Sequence, residues 1–244
     1  DFLTLRKDFD RRNLEQVIHI ASWCRNNMKK PRMMHFALEI EDEVLFNSRR
    51  FTQSLKEKFA SQIKAYNKVR ALDEKSQKHI PPMHIVFSIE SKYLKRSDPV
   101  PYLHIHVLVF IDTLHNLYGF NELNICINKA LSKIHGLESL EFNDEDKGFR
   151  KNDRKMYLGF FKKRQKKTSI KVGAVEEWRW HDLKTELDDA ICRASYLCKL
   201  DQKDLLPDEF KRGNSFGHTR PPKNSNQDYE RLKNIPIGTQ LGFF

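Results

Sequence analysis

The sequence contains no hydrophobic run long enough to cross a membrane, and it makes little use of cysteine. No apolar stretch approaches the roughly 20 residues that a bilayer-spanning helix needs. The four cysteines are widely spaced and form no C-x-x-C pair: Cys24, Cys126, Cys192 and Cys198. This pattern excludes a disulfide framework and a zinc finger, and it predicts reduced thiols in a cytoplasm.

Sequence motifs of several large protein classes are also missing. There is no G-x-x-x-x-G-K-[ST] loop, so the chain encodes no nucleotide-hydrolysing motor. There is no G-x-S-x-G, the motif that presents the nucleophilic serine of α/β hydrolases. No internal repeat and no clear linker divides the chain, so a single domain is the simplest interpretation of its 244 residues.

Positive charge is what the chain has in excess. Lysine and arginine number 44 against 33 acidic residues, which gives a formal net charge of +11. Such a surface attracts polyanions, and nucleic acid is the first candidate because its phosphates bind cations without sequence preference. A membrane surface is the second candidate, but no basic amphipathic segment is evident.

Hydrophobic periodicity predicts alternating strands and helices. Helices are predicted over 10–30, 48–75, 121–135 and 183–200, and strands over 34–41, 83–90, 102–112 and 170–180. This order predicts an α+β fold with a central antiparallel sheet and helices packed on it, in a ferredoxin-like or RRM-like arrangement. The hairpin over 83–112 is expected to be central in that sheet.

Two histidines share one face of a predicted strand. Alternate side chains of a strand point to the same side, so His104 and His106 lie together while Ile105 points away. A neutral imidazole is the commonest metal ligand in proteins, and two neighbouring imidazoles can hold a divalent cation. The same spacing also arises by chance, and either histidine can instead be a hydrogen-bonded core residue.

The histidine pair needs a third ligand, for which the sequence offers two carboxylates. Glu90 ends the preceding predicted strand and is expected close to the histidines across the hairpin, whereas Asp98 lies in the intervening loop. Two imidazoles and a carboxylate suit Mg²⁺ or Mn²⁺, and zinc is also compatible. Without a metal, Glu90 would be a solvated strand end.

A tyrosine and a lysine lie on the last predicted helix. Tyr196 and Lys199 are three residues apart and therefore share a helix face. A tyrosine hydroxyl that reaches a metal-polarised phosphate can displace a sugar oxygen and become covalently esterified. Lys199 would then offset charge on the phosphate or favour the phenolate. The alternative is an amphipathic helix with an ordinary interface tyrosine.

The segment 147–171 is rich in both basic and aromatic residues. Its cations can bind backbone phosphates, and its aromatic rings can stack on unpaired bases. A solvated insertion loop is the alternative interpretation. The candidate DNA-binding residues are Lys155, Lys162, Lys163, Arg164, Lys166, Lys167, Tyr157 and Phe160.

The combination of these motifs resembles the HUH endonucleases. It is most similar to the single-tyrosine rolling-circle replication initiators (Rep proteins), and more narrowly to the filamentous-phage replication-protein-like group of phages, satellites and integrated elements. The narrower likeness is carried by Tyr-Leu-His-Ile-His-Val-Leu-Val-Phe at 102–110 and Ser-Tyr-Leu-Cys-Lys at 195–199, with Ser-Phe-Gly at 215–217 adding a little. The threonine-rich first strand motif of the family is absent from 34–41, so that motif stays unassigned.

The resemblance implies a site-specific DNA nickase. A divalent ion held by His104, His106 and Glu90 would polarise the scissile phosphate of single-stranded origin DNA. Tyr196 would attack, leaving a 5′-phosphotyrosine link and a free 3′-OH that primes synthesis. One tyrosine motif implies one nucleophile, so a second cleavage would need water or a second subunit. The expected partners are a separate helicase and host replication proteins in a bacterial cytoplasm, and no membrane.

The resemblance also implies a division of the chain. It predicts an N-terminal helical segment at 1–33, an HUH endonuclease domain at 34–205, and a loop-rich tail at 206–244 that packs on or extends the domain. Two alternatives remain at this stage. One is a relaxase or tyrosine transposase of the same superfamily, and the other is a non-catalytic RRM-like protein that binds single strands.

Overall fold

The computed structural model of this protein describes residues 9–70, 74–93, 101–113, 119–138, 149–151, 157–160, 180–200, 203–211 and 213–220. Within these segments the α-helices are α1 (Arg11–Asn27), α2 (Phe51–Val69), α3 (Glu74–Lys78), α4 (Phe120–Leu131) and α5 (Leu187–Ser195). The strands are β1 (Pro31–Glu39), β2 (Met83–Lys92), β3 (Tyr102–Asp112), β4 (Phe149–Lys151), β5 (Tyr157–Phe160), β6 (Trp180–Asp182) and β7 (Phe216–His218). In this part of the chain no helix is both long and apolar enough to cross a membrane.

The strands of the described segments form one antiparallel sheet. Its order is β4-β5-β1-β3-β2-β7, and β6 also pairs with β1. β3 lies between β1 and β2 and runs opposite to both, so those two strands are parallel to each other. α2 connects β1 to β2 and α4 follows β3, which is the split β-α-β arrangement of ferredoxin-like folds. The predicted α+β class, with its central antiparallel hairpin, is confirmed.

The two faces of this sheet bury different side chains. One, which we call the apolar face, carries Ile105, Val107 and Val109 of β3 and packs against α2 and α4. The opposite one, the histidine face, carries His104 and His106 and is covered by α1 and α5. Both helix pairs present apolar residues to the sheet, so the sheet is the middle of three layers. The histidines are therefore placed inside the protein.

The helix predicted over 183–200 is shorter in the structure. α5 ends at Ser195, and a 3₁₀ turn over Tyr196–Cys198 follows before the backbone becomes extended at Lys199. The chain leaves the helix because it pairs with the segment before α1, where the Asp10 N–H donates to the Cys198 carbonyl at 2.8 Å. Tyr196 thus lies on a tight turn that long-range hydrogen bonding anchors.

The last strand comes from the segment predicted as a loop-rich tail. β7 pairs with β2 and extends the sheet at that edge. Gly217 lies opposite Phe87 in this pairing, and a Cβ atom at position 217 would collide with the phenyl ring. Glycine allows the two strands to approach each other here, where any larger residue would force the ring aside.

A half-buried histidine near this edge makes the fold sensitive to acid. His84 of β2 contacts the edge of the Trp23 ring and hydrogen-bonds to Thr219. Burial, with a smaller contribution from Lys56, lowers the pKa of His84 from 6.5 to about 4. The neutral ring therefore stabilises the fold above pH 6.5, and that stabilisation is lost as the pH falls toward about 4.

We expect His84→Gln to reduce this acid sensitivity. Between about pH 7.5 and about pH 5, the free energy of unfolding of the wild type should fall by about 2 kcal/mol more than that of the variant. Denaturant unfolding at the two pH values measures the difference. Because burial also lowers the pKa values of His35 and His106, which both proteins contain, only the difference reports on His84, and equal losses would show that His84 is not the source.

Candidate metal centre

Strand pairing brings the predicted ligands together. His104 and His106 are separated by one residue on β3, and Glu90 of β2 is the direct pairing partner of His104. All three side chains point to the histidine face because paired residues of neighbouring strands share a face. β2 continues for two residues beyond Glu90, to Lys92, so the carboxylate is inside the strand and not at a solvated end.

The ligand atoms of these residues are spaced for a shared cation. Glu90 Oε2 lies 3.5 Å from Nε2 of His104 and 3.5 Å from Nε2 of His106. Two atoms that each bind one ion at about 2.1 Å are roughly 3.0–3.4 Å apart, depending on the coordination geometry. Ligand atoms of all three residues lie within 4.8 Å of one another, so the residues form a group that could hold a metal ion.

Burial strengthens the case that this group binds a cation. Glu90, His104 and His106 are 0%, 0% and 4% exposed. Within the described part of the chain, neither carboxylate oxygen of Glu90 and neither ring nitrogen of His104 makes a hydrogen bond of normal geometry. Leaving such groups unsatisfied costs about 1–3 kcal/mol each. A cation bound between them would interact with both the Glu90 carboxylate and the His104 imidazole. Two imidazoles with a carboxylate are a suitable donor set for such a cation.

The electrostatics of the group favour the protonation states that a metal requires. Burial by itself would raise the pKa of Glu90, but His106, His104 and Lys203 together lower it below its usual value. Burial lowers the pKa of His106 well below 6.5, against the opposing effect of Glu90. At neutral pH the group therefore contains a carboxylate and a neutral His106 ring, and metal ligands must be deprotonated in this way.

The tyrosine turn lies over this group. The Tyr196 ring centroid is 5.0 Å from that of His106 at an interplanar angle of 68°. Tyr196 is partly exposed, whereas the two histidines beneath it are buried. The turn after α5 thus places a phenol at the boundary between the buried ligands and solvent. Residues 106 and 196 are adjacent only because α5 packs on the histidine face.

Two lysines lie beside the site, of which the sequence singled out one. Lys199 Nζ is 3.9 Å from the centroid of the Tyr196 ring, a cation–π contact with the face of the phenol. Lys203 Nζ donates to Ser88 Oγ at 2.6 Å and to the Ile89 carbonyl, next to Glu90. Lys203 is thus the cation whose charge acts on Glu90, and only the tertiary structure identifies that role.

A third histidine lies at the site, although no sequence motif pointed to it. His35 of β1 is 3% exposed, and its Nε2 lies 3.1 Å from Nδ1 of His106. It belongs to the strand predicted over 34–41, and alternation alone places it on a face with Ala37 and Glu39. The predicted ferredoxin-like order places β1 beside β3, but neither that order nor alternation specifies the register that sets His35 against His106.

Most of the remaining predicted site residues lie outside the described part of the chain. The alternative ligand Asp98 lies outside the described residues, and so do the candidate DNA-binding residues Lys155, Lys162, Lys163, Arg164, Lys166 and Lys167. Tyr157 and Phe160 begin and end β5, which pairs with β1 on the side away from β3. Their role in DNA binding stays a prediction.

A basic cleft lies at the opposite end of β1 from the histidines. It has a volume of about 430 Å³, and its lining includes Lys29, Lys30, Arg32, Phe120, Asp182 and Lys184. Asp112 accepts hydrogen bonds from the backbone N–H groups of the first two lysines, which holds that turn in place. Arg32 forms an ion pair with Asp182 and lies over the Phe120 ring. Cations are thus in excess in this cleft.

Comparisons of the chain with protein-family models, with curated proteins and with solved structures found no match. The resemblance to HUH endonucleases therefore stays a prediction that rests on the motifs around His104, His106 and Tyr196. The chemistry of the site has to carry any functional conclusion.

Proposed function

We propose that this protein is a DNA-nicking endonuclease that initiates replication by covalent tyrosine catalysis. The observation that carries the proposal is the position of the Tyr196 ring, 5.0 Å from the ring of His106. The buried group of Glu90, His104 and His106 could hold a metal ion. A phenol beside such a group can attack a phosphodiester that the bound cation polarises.

The reaction exchanges one phosphoester for another. The Tyr196 oxygen forms a bond to the scissile phosphorus, and the bond from phosphorus to the 3′-oxygen of the upstream nucleotide breaks. The phenol loses its proton, the departing oxygen gains one, and the downstream strand stays linked through its 5′-phosphate. The resulting 3′-OH is a primer for a polymerase. The reverse reaction, with a new 3′-OH as the attacking group, rejoins the strand.

The side chains around Tyr196 have separate tasks. Glu90, His104 and His106 would hold the cation, for which we propose Mg²⁺ or Mn²⁺. When bound, this ion supplies Lewis-acid stabilisation of the negative charge that develops on the phosphate oxygens. Lys199 lies on the phenol face and offsets negative charge there.

A test is to look for the covalent product. The protein is incubated with Mn²⁺ and a pool of random-sequence single strands labelled at either end, and then denatured. We expect a protein band that carries the 3′-end label and not the 5′-end label, because the downstream piece stays attached. Sequencing the attached DNA would give the recognition sequence. A band with the 5′-end label instead would contradict the proposed polarity.

A non-catalytic, RRM-like single-strand-binding protein is the second candidate. The ferredoxin-like sheet and the net charge of +11 favour it as well. That function needs no metal and forms no covalent product. A relaxase or a tyrosine transposase of the same superfamily would form the adduct too, and it would differ from an initiator in the sequence attached.

The basic cleft is where the described residues support a DNA partner. We expect Lys29→Gln combined with Lys30→Gln to weaken binding of a single-stranded oligonucleotide roughly tenfold at about 0.1 M salt. The salt dependence should also decrease, by about 1.4 in the slope of log K against log salt, because two phosphate contacts are lost. Fluorescence anisotropy over a salt series measures both quantities.

The matched control removes the same charge from another surface. Lys64 and Lys68 are exposed on α2 and do not line the cleft. Lys64→Gln combined with Lys68→Gln should change affinity much less than the cleft variant. Equal effects of the two double variants would mean that binding responds to net charge alone and that the cleft has no special role.

A further inference from the structure

His35 has a defined relation to one ligand of the candidate metal centre. Its Nε2 lies 3.1 Å from Nδ1 of His106, and both imidazoles are buried. His106 Nε2, the other ring nitrogen, lies 3.5 Å from Glu90 Oε2. The two nitrogens of His106 are therefore directed at different partners, one toward β1 and the other toward the site.

The sheet makes this contact possible. Ala37 of β1 is the direct pairing partner of His106, and His35 is the next residue of β1 on the same face. Diagonal neighbours in a sheet are about 7–8 Å apart, within reach of a ring side chain. The small side chain of Ala37 leaves the space between the strands open, so the two imidazoles meet across it.

The shared hydrogen bond has a consequence for metal binding. A hydrogen bond between two neutral imidazoles contains one proton, so one ring donates and the other accepts. Nε2 of His106 can bind a cation only if it has no proton, and the proton must then be on Nδ1. In that arrangement Nδ1–H of His106 donates to Nε2 of His35. Acceptance of this proton by His35 would therefore stabilise the tautomer that the metal centre needs.

We infer that His35 is a positioning residue, which accepts the Nδ1 proton of His106 and holds the Nε2 lone pair of that ring toward Glu90. Partners of this kind fix the orientation of metal-binding histidines and increase their basicity, and their loss typically costs about 10–100-fold in metal affinity. The inference rests on the metal centre of the proposed function. It gives β1 a role in the metal centre, which the sequence motifs did not suggest.

The test compares two substitutions at position 35 by titration with Co²⁺, whose visible absorption reports on ligand geometry. We expect His35→Phe, which keeps a ring without an acceptor, to weaken Co²⁺ binding about 10–100-fold and to alter the spectrum. His35→Gln, whose amide oxygen can accept the proton, should restore most of the affinity. His84→Phe, a histidine of the same face outside the group, should bind Co²⁺ like the wild type.

Several outcomes would overturn this role. They are a His35→Phe variant that binds Co²⁺ as tightly as the wild type, and a His35→Gln variant as weak as His35→Phe. If His35→Phe does not fold, imidazole ¹⁵N spectra of the wild type with bound Zn²⁺ decide the question. We expect the Nδ1–H of His106 to be hydrogen-bonded to Nε2 of His35, and absence of that hydrogen bond would refute the inference.

The result is also separable from the proposed nicking activity. If the wild type forms the DNA adduct while position 35 has no effect on Co²⁺ affinity, the nickase proposal stands and the role of His35 falls. If position 35 controls Co²⁺ affinity but no adduct forms, the role of His35 stands without the nickase. A wild type that binds no Co²⁺ would overturn the role of His35 and the metal centre together.

Discussion

Tyr196→Phe is expected to reduce formation of the covalent protein–DNA product by at least about 10³-fold, because it removes the attacking oxygen. The phenyl ring keeps the contact with His106 and the cation–π contact with Lys199. The variant should therefore fold, bind Co²⁺ and bind single strands like the wild type. The denaturing-gel assay with 3′-labelled DNA and Mn²⁺ measures the loss.

Two further tyrosine substitutions make this result specific. Tyr102 stacks on His104 and donates its hydroxyl proton to Glu39, so it is a second phenol near the candidate ligands in the described part of the chain. An adduct that survives Tyr196→Phe but disappears in Tyr102→Phe would assign the nucleophile to Tyr102. Tyr66, at the end of α2 on the apolar side of the sheet, is the remote control. Tyr66→Phe should leave the yield of adduct unchanged.

Glu90→Gln is expected to abolish most metal binding with little change in shape. Removing a residue that only hydrogen-bonds to a metal ligand weakens metal binding by up to about a hundredfold. Removing the ligand carboxylate itself should weaken it by at least as much. At a Mn²⁺ concentration of about 100 times the wild-type dissociation constant, binding adds about 2.7 kcal/mol of stability. That corresponds to a rise in the wild-type Tm of about 5–10 °C, against about 1 °C for the variant. Thermal unfolding with and without Mn²⁺ measures both.

The metal-free protein shows whether Glu90 also supports the fold. A neutral amide of the same size removes the cost of desolvating the buried carboxylate, but it also removes the attraction of that charge to His106, His104 and Lys203. Because these two effects oppose each other, we expect metal-free Glu90→Gln to have a Tm close to that of the wild type or modestly lower. A large drop in its Tm without metal would instead mean that Glu90 is needed for the fold itself.

Glu39→Gln is the matched control for this change. Glu39 of β1 and Glu90 of β2 are both direct pairing partners of His104, one on each side of β3. Glu39 belongs to no three-residue ligand group within the described segments, and its carboxylate accepts from Tyr102. It should keep the Mn²⁺-dependent rise in Tm. If Glu39→Gln loses that rise and Glu90→Gln keeps it, the third ligand has been assigned to the wrong strand.

Binding of DNA should be separable from metal binding. His106→Ala removes a ligand, and we expect it to lose the covalent product while it keeps most of its affinity for single strands. The reason is that lysine and arginine contacts to phosphates supply that affinity, and they do not need the metal. Anisotropy and the adduct assay on one preparation give both values. Joint loss would indicate that His106 is structural.

The sequence by itself determined the features that depend on local geometry. Alternation on one strand placed His104 and His106 on a common face, and the short hairpin brought Glu90 next to them. Both follow from the two-residue period of a strand and from the tendency of consecutive strands to pair. The order of strands and helices was enough to predict the α+β class. Helices and strands that follow one another in that order can bury their apolar faces in only a few arrangements.

Only the tertiary structure decided which distant segments meet. It set the register of β1 against β3, and so His35 against His106, which the strand pattern of 34–41 does not specify. It ended α5 at Ser195, because pairing of Cys198 with Asp10 outweighs helical periodicity, and it brought Lys203 next to Glu90. Register and helix termination depend on contacts between residues far apart in the chain, and these contacts leave no local periodic signal.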